Sequence, residues 1–261
     1  MNLLDKIKKK NSGLSAYAKF AGEFVYPTLT GPLKSRMNFK GKEVIAWSFN
    51  DYLGLQSEQR VIEYETEIVK KYGAGYPAGS RLLTGNSDFH EQLEQEISQL
   101  IDKEVLLLNF GYQGIMSTVD SLVDRNDTII YDQLVHASLI DGVRLHQGAK
   151  HSFRHNDMDH LEKHLAKASA TGAGGILVLV DGVFSMKGDT AKVAEILKLK
   201  DSYEFTLLVD DAHGFQTFGE RGSVGELMPG VDIYISTFAK SLAIIGGFVA
   251  ASGEFIEYFK Y

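Results

Sequence analysis

The sequence contains no cysteine, and only four of its 261 residues are proline. The absence of cysteine excludes a disulfide framework, a thiolate zinc site and a catalytic thiol, and it fits a reducing cytosol. So few prolines leave no obvious interdomain linker. Long apolar runs are also missing, because the longest, at 174–180 and 242–252, are about half of the roughly 20 residues that a membrane-spanning helix needs.

An excess of basic charge is missing as well. The chain has 27 Lys and Arg against 34 Asp and Glu, a formal net charge of −7, and its basic residues are scattered except at 8–10. We therefore expect no nucleic-acid partner and no attraction to anionic membranes. The N-terminus carries charges where a signal peptide needs an apolar stretch, so we expect a cytoplasmic protein without a transmembrane segment.

What is present is typical of a folded globular protein, with 44% hydrophobic and 23% charged residues. The turn-like stretch at 38–42 marks the best boundary, near Ile45. We interpret 1–45 as an N-terminal segment containing a helix within 3–20, and 46–261 as one large domain. Within that domain, the apolar spacing at 88–101 predicts an amphipathic helix.

Five short segments are apolar without polar alternation, at 128–131, 175–181, 205–210, 232–237 and 247–250. Continuous apolar strands separated by helical segments indicate an α/β protein whose parallel or mixed sheet is covered on both faces. Such a sheet places its chemistry beyond the carboxyl ends of its strands. Polar residues follow several of these segments, and we expect them to converge on one site.

Lys240 follows the apolar segment 232–237 almost directly. A lysine in this position can form a Schiff base when desolvation and neighbouring positive charge lower its pKa. The alternative is an ordinary lysine that reaches solvent at a strand end. Taken alone, the residue does not distinguish these readings.

Asp210 ends another apolar segment, and His213 lies three residues later. The carboxylate could pair with a protonated pyridine nitrogen, and the imidazole could hydrogen-bond a phenolic oxygen of the same ring. A capped turn is the simpler reading of the same residues. A metal site would need more ligands at suitable spacing, and we predict none.

Three further stretches have both a functional and a structural reading. The glycine-containing segment 109–114 precedes a helical stretch, where backbone N–H groups could hold a phosphate; a plain turn is the alternative. His136 follows a strand and could lie flat on a cofactor ring, or it could be structural. The loop at 76–85 carries Arg81 and could be only a turn, and the histidines between 146 and 164 receive no role.

Six motifs follow one another along the chain: NDYLGL at 50–55, GSR at 79–81, HAS at 136–138, DGVFSM at 181–186, DDAH at 210–213 and TFAKS at 237–241. In this order they resemble the α-oxoamine synthase family of pyridoxal 5′-phosphate (PLP) enzymes. The resemblance covers about 45–249 and implies the aspartate-aminotransferase fold, fold type I. Its sheet is mostly parallel and seven-stranded, with flanking helices.

The resemblance also implies roles for the residues that hold the cofactor ring. Lys240 matches the Schiff-base lysine, Asp210 the partner of the pyridine nitrogen and His213 the partner of the phenolic oxygen. His136 matches the residue that stacks on the ring, and Ser185 lies near the cofactor face.

Other matching positions concern the phosphate and the substrate. Gly111 and Tyr112 match the phosphate loop, and Thr237 matches a hydroxyl that contacts the phosphate. Asn50 and Tyr52 match a segment that lines the site across a dimer interface. With Arg81 they are the substrate-binding candidates.

Members of this family condense an amino acid with an acyl-CoA and release CO2, giving an α-amino ketone. The resemblance therefore implies a PLP-dependent acyltransferase that acts on glycine, serine or alanine as a homodimer with a shared active site. The motifs are divided among glycine C-acetyltransferase, 8-amino-7-oxononanoate synthase and serine palmitoyltransferase. The alternatives are an aminotransferase, or a non-catalytic partner subunit of the same fold. The family continues well past the position of Tyr261, so we expect the rest of a C-terminal small domain to be missing.

Overall fold

The computed structural model of the protein describes residues 2–10, 19–73, 79–172 and 174–261. By its internal contacts the chain divides into two compact units, Met1–Phe49 and Asn50–Tyr261. The sequence places the boundary near Ile45, and the extents of the two domains stay a prediction.

The described residues of the first unit include an α-helix and a two-stranded hairpin. Helix α1 spans Leu3–Lys10, and the remainder of the helix expected within 3–20 falls largely on 11–18, outside the described residues. Strands β1 (Arg36–Phe39) and β2 (Lys42–Ile45) pair in antiparallel fashion. Lys40 and Gly41 connect them with φ of 51° and 80°, which is the positive-φ pair that tight hairpin turns require.

The second unit contains seven α-helices among its described residues. They are α2 (Gln59–Tyr72), α3 (Asp88–Ile101), α4 (Gly111–Leu122), α5 (Ala137–Leu145), α6 (Met158–Thr171), α7 (Val193–Lys198) and α8 (Gly253–Phe259). The predicted helix at 88–101 is confirmed with its bounds, because its apolar stripe buries Ile97 and Ile101. No helix in the described ranges is long and apolar enough to cross a bilayer.

The same unit contains a seven-stranded sheet. Its strands are β3 (Glu104–Leu108), β4 (Thr128–Asp132), β5 (Ala149–Phe153), β6 (Ile176–Asp181), β7 (Thr206–Asp210), β8 (Ile233–Thr237) and β9 (Gly247–Ala251). Their order is β3-β9-β8-β7-β6-β4-β5. Only β9 runs antiparallel to its neighbours. The predicted α/β class with a mostly parallel seven-stranded sheet is confirmed.

Two apolar layers cover the sheet, one on each face. All six residues of β6 are buried. Val178 and Val180 point into the layer that includes α6 and α7, whereas Leu177 and Leu179 point into the layer that includes α4 and α5. The strands are apolar without alternation because both of their faces are buried.

Candidate active site

Polar residues stand at the carboxyl ends of the three central parallel strands. Asp181 ends β6, Asp210 ends β7 and Thr237 ends β8, and all three are buried. Asp181 and Asp210 are directly paired in the β6–β7 register, and Asp210 is paired with Ile235 of β8. The parallel arrangement therefore gathers these side chains at one edge, as the sequence predicts.

Lys240 lies three residues beyond β8, in a turn closed by hydrogen bonds between Phe238 and Gly246 and between Ile244 and Phe238. Its Nζ lies 2.8 Å from Nε2 of His213. Burial lowers the pKa of Lys240, and the nearby carboxylates of Asp210 and Asp181 oppose that shift. The amine is thus held in a partly desolvated position, which is the condition that favours its use as a nucleophile or base.

His213 is the middle member of a longer hydrogen-bonded chain. Its Nδ1 lies 2.7 Å from the hydroxyl of Tyr52, and that hydroxyl donates to Oδ1 of Asn50 at 3.1 Å. Burial, together with the positive charge of Lys240, lowers the pKa of His213 to about 4. The imidazole is therefore neutral near pH 7.

The buried carboxyl groups of Asp210 and Asp181 lie near Lys240. Asp210 accepts the backbone N–H of Ala212 at 3.1 Å, and Asp181 accepts the backbone N–H of His136 at 3.1 Å. Burial raises the pKa of both groups, and their mutual repulsion raises that of Asp181 further. The positive charge of Lys240 opposes this shift in both carboxyls, so a cation at this edge of the sheet favours their ionised forms.

The neighbouring Asp211 has a structural task. Its carboxylate accepts from the Ser223 backbone N–H at 2.8 Å, from the Ser223 hydroxyl at 2.6 Å and from the Tyr234 hydroxyl at 2.8 Å. A Cβ on Gly214 or Gly222 would lie 2.1 or 2.0 Å from its oxygens. These contacts hold the loops around Asp210 in place. No sequence pattern gives Asp211 a role of its own.

The amino end of α4 approaches the carboxyl end of β8 at Gly111. A Cβ at this position would lie 2.7 Å from both Cβ and Oγ1 of Thr237, so only glycine permits this approach. The Thr237 hydroxyl donates to the Gly246 carbonyl at 2.8 Å and accepts the Ala239 N–H at 3.1 Å. Free N–H groups at a helix start favour an anion such as phosphate.

His136 caps helix α5, its Nδ1 accepting the Ser138 backbone N–H at 3.2 Å. Burial and the charge of Lys240 lower its pKa. The ring meets Tyr112 edge-on, with centroids 5.8 Å apart. Tyr112 in turn donates from its hydroxyl to Asp141. Both rings are therefore fixed by their surroundings rather than free to rotate.

One cavity of about 320 Å³ opens at this edge of the sheet. Six of the predicted site residues line it, namely Gly111, Tyr112, His136, Asp210, Thr237 and Lys240. His213 contacts the cavity's lysine directly, and Tyr52 and Asn50 reach it through His213. The structure thus brings nine of the predicted residues into one connected group.

Two predicted residues lie elsewhere. Ser185 is exposed in the loop after β6 and does not line the cavity. Arg81 forms an ion pair with Glu94 at 2.7 Å and donates to the Leu107 carbonyl at 3.2 Å, which ties the guanidinium to α3 and β3. Residues 76–78 of the loop before it lie outside the described residues. The roles of Ser185 and Arg81 stay predictions.

Asp181 is the site residue whose contribution the sequence reading missed. It ends the apolar segment 175–181 and begins the DGVFSM motif, but neither pattern gives it a role. The available signal was its position, because an acidic residue that ends a fully buried strand beside another such strand must meet that strand's own terminal residue.

Comparisons with known proteins agree on one family. The sequence pattern of aminotransferase class I and II matches residues 42–261. The cysteate-C-fatty acyltransferase of Capnocytophaga ochracea is 46% identical, and the alignment covers 100% of this chain and 64% of that protein. Other curated relatives are serine palmitoyltransferases and 8-amino-7-oxononanoate synthases.

Solved structures agree with that result. The serine palmitoyltransferase of Sphingomonas wittichii superposes with a TM-score of 0.89 and 28% identity over 98% of this chain and 65% of that chain. A serine palmitoyltransferase with PLP as its internal aldimine gives a TM-score of 0.86 at 28% identity, over 98% of this chain and 66% of that chain. The chain therefore spans just under two thirds of the length of these proteins.

Proposed function

This chain belongs to the aminotransferase class I and II family, in its α-oxoamine synthase branch, and from that premise we propose that it forms the PLP-binding part of an acyltransferase. The reaction condenses an amino acid with an acyl-CoA and releases CO2. The observation that carries the proposal is the convergence of Lys240, His213 and Asp210 at one cavity at the carboxyl edge of the sheet.

The residues around the cavity fit PLP in their chemistry. Lys240 is an amine in a partly desolvated position and would hold the cofactor covalently. Asp210 is a buried carboxylate that suits a pyridinium nitrogen. The start of α4 at Gly111, which a Cβ would obstruct, suits the phosphate. His136 would lie against the ring.

When bound, PLP supplies the electron sink that stabilises a carbanion at the amino acid's Cα. The chain's own residues do the rest. Lys240, whose pKa burial lowers, would accept the Cα proton and return it. Asp210 would keep the pyridine nitrogen protonated, and Asp181 lies beside Asp210 in the β6–β7 register. His213, neutral near pH 7, would lie beside the ring's phenolic oxygen without adding positive charge.

For the substrates, we infer a small polar amino acid and a fatty acyl-CoA. Two observations support this choice: the 46% identity to a cysteate-C-fatty acyltransferase and the structural similarity to serine palmitoyltransferase. The cavity of about 320 Å³ is small for a fatty acyl chain, and its lining includes the ionisable side chains of Asp210, His136 and Lys240, which suit the amino acid. We propose that residues 46–261 form the PLP-binding domain and that two copies share the active site.

The test is to supply the full product of the gene with serine, cysteate, glycine or alanine, each with palmitoyl-, pimeloyl- or acetyl-CoA, and to follow thiol release. We expect release with palmitoyl-CoA and with serine or cysteate, and none from Lys240→Ala. Amine transfer to an oxo acid without thiol release would instead indicate an aminotransferase. Neither activity, in a protein that binds PLP, would indicate a non-catalytic partner subunit.

A further inference from the structure

A hydrogen-bonded chain of four residues leads from the lysine to the start of the second unit. Nζ of Lys240 lies 2.8 Å from Nε2 of His213. Nδ1 of His213 lies 2.7 Å from the hydroxyl of Tyr52, which donates to Oδ1 of Asn50 at 3.1 Å. Tyr52 and His213 are 161 residues apart in sequence, so the fold alone creates this contact.

The chemistry of the groups gives the chain a direction. An ammonium group has hydrogens but no free lone pair, so Lys240 donates and Nε2 of His213 accepts. The neutral imidazole then carries its single hydrogen on Nδ1, which donates to the Tyr52 oxygen. Tyr52 is free to accept it because its own hydrogen goes to Asn50. All three bonds therefore run in one direction, away from the lysine.

We propose that Tyr52 is a positioning residue, whose hydroxyl keeps His213 in the Nδ1–H tautomer with its bare Nε2 turned toward Lys240. The other tautomer would set an N–H against the ammonium hydrogens and push the lysine away. Among the described residues, the Tyr52 hydroxyl is the one hydrogen-bond partner of Nδ1. The tautomer of a histidine is set by the bond that its other nitrogen makes.

The use of this arrangement in catalysis rests on the proposed function, but the tautomer itself does not. An oriented, neutral His213 would hold the Lys240 amine at a fixed place in the cavity, ready to bond the cofactor. Asn50 contributes because its Oδ1 accepts the hydroxyl hydrogen of Tyr52. Without Asn50, the hydroxyl could turn and donate to Nδ1, which would favour the opposite tautomer.

The experiment is nitrogen NMR of the full-length protein, labelled with 15N in its histidine rings and kept free of PLP at pH 7.5. In the parent protein we expect the Nδ1 of His213 to be protonated and its Nε2 unprotonated. In Tyr52→Phe we expect an approximately fivefold change in the tautomer ratio toward Nε2–H, the factor that one hydrogen bond supplies. Asn50→Ala should shift the ratio in the same direction while it retains the tyrosine.

Tyr203→Phe is the matched control, because its hydroxyl donates to Glu162 away from the site, and the His213 resonances should not move. A parent His213 protonated at Nε2, or an unchanged ratio in both Tyr52→Phe and Asn50→Ala, would overturn the proposal. Because the cofactor is absent, the outcome is independent of PLP chemistry. A protein that fails to bind PLP yet shows the expected tautomers would refute the proposed function alone.

Discussion

Gly111→Ala tests the close approach of helix α4 to strand β8. The added Cβ would lie 2.7 Å from Cβ and Oγ1 of Thr237, well inside ordinary van der Waals contact. Thr237 cannot turn away without breaking its bonds to Gly246 and Ala239. Replacing a helical glycine by alanine gains about 0.4–1 kcal/mol through the unfolded chain, whereas overpacking costs about 1–3 kcal/mol.

We therefore expect Gly111→Ala to lower the free energy of unfolding by about 1–2 kcal/mol, measured by urea denaturation. Gly111→Ala should also weaken PLP binding, because the clash with Thr237 displaces the start of α4, which lines the cavity. The matched control is Gly175→Ala, where the nearest atom to the new Cβ is Asp127 Oδ1 at an ordinary 3.4 Å. That variant should be at least as stable as the parent. If Gly111→Ala were as stable as the parent, the contact between α4 and Thr237 would not be as tight as the 2.7 Å distances indicate.

Three further predictions concern charges in and near the site. Asp210→Asn should retain PLP but slow exchange of the substrate's Cα proton by a factor on the order of a hundred, because a neutral amide cannot keep the pyridine nitrogen protonated. Proton NMR in D2O follows this exchange, and an unchanged rate would refute the role of Asp210. Arg81→Ala should lower the free energy of unfolding by about 2 kcal/mol in urea, because it leaves the mostly buried Glu94 carboxylate without its cation. Arg60→Ala, in an exposed ion pair, should show no measurable change. Burial lowers the pKa of His213 from 6.5 to about 4, so its contribution to stability is complete above pH 6.5 and is lost as the pH falls through 4. In His213→Gln, the free energy of unfolding should therefore depend less on pH between 6.5 and 4. A pH dependence as steep as the parent's would contradict the shift.

Much of the fold could be predicted because its central elements have strong local patterns. Helix α3 shows a clear apolar stripe, and strands such as β6 are apolar throughout because both faces are buried. Local sequence patterns do not predict β3 or β5. β5 is an edge strand with mostly exposed or half-buried residues, so its composition lacks the apolar run by which the central strands are identified.

Some residues of the site could likewise be placed from the sequence, whereas their contacts could not. Asp210 and Lys240 could be placed because each follows a buried strand, and strand ends meet at one edge. The contact between Tyr52 and His213 could not be derived, because no local pattern brings together residues 161 positions apart. The pairing of Arg81 with Glu94 has the same character. Motif resemblance names Tyr52, His213 and Arg81, but only the packing shows their partners.

The most direct test of the account is to find which lysine bonds the cofactor. The full-length protein is mixed with PLP, reduced with sodium borohydride, digested and analysed by mass spectrometry. We predict one labelled peptide, the one that contains Lys240, and no label in Lys240→Arg. A reduced cofactor on any other lysine, or an unlabelled Lys240 in protein that has bound PLP, would contradict the central claim.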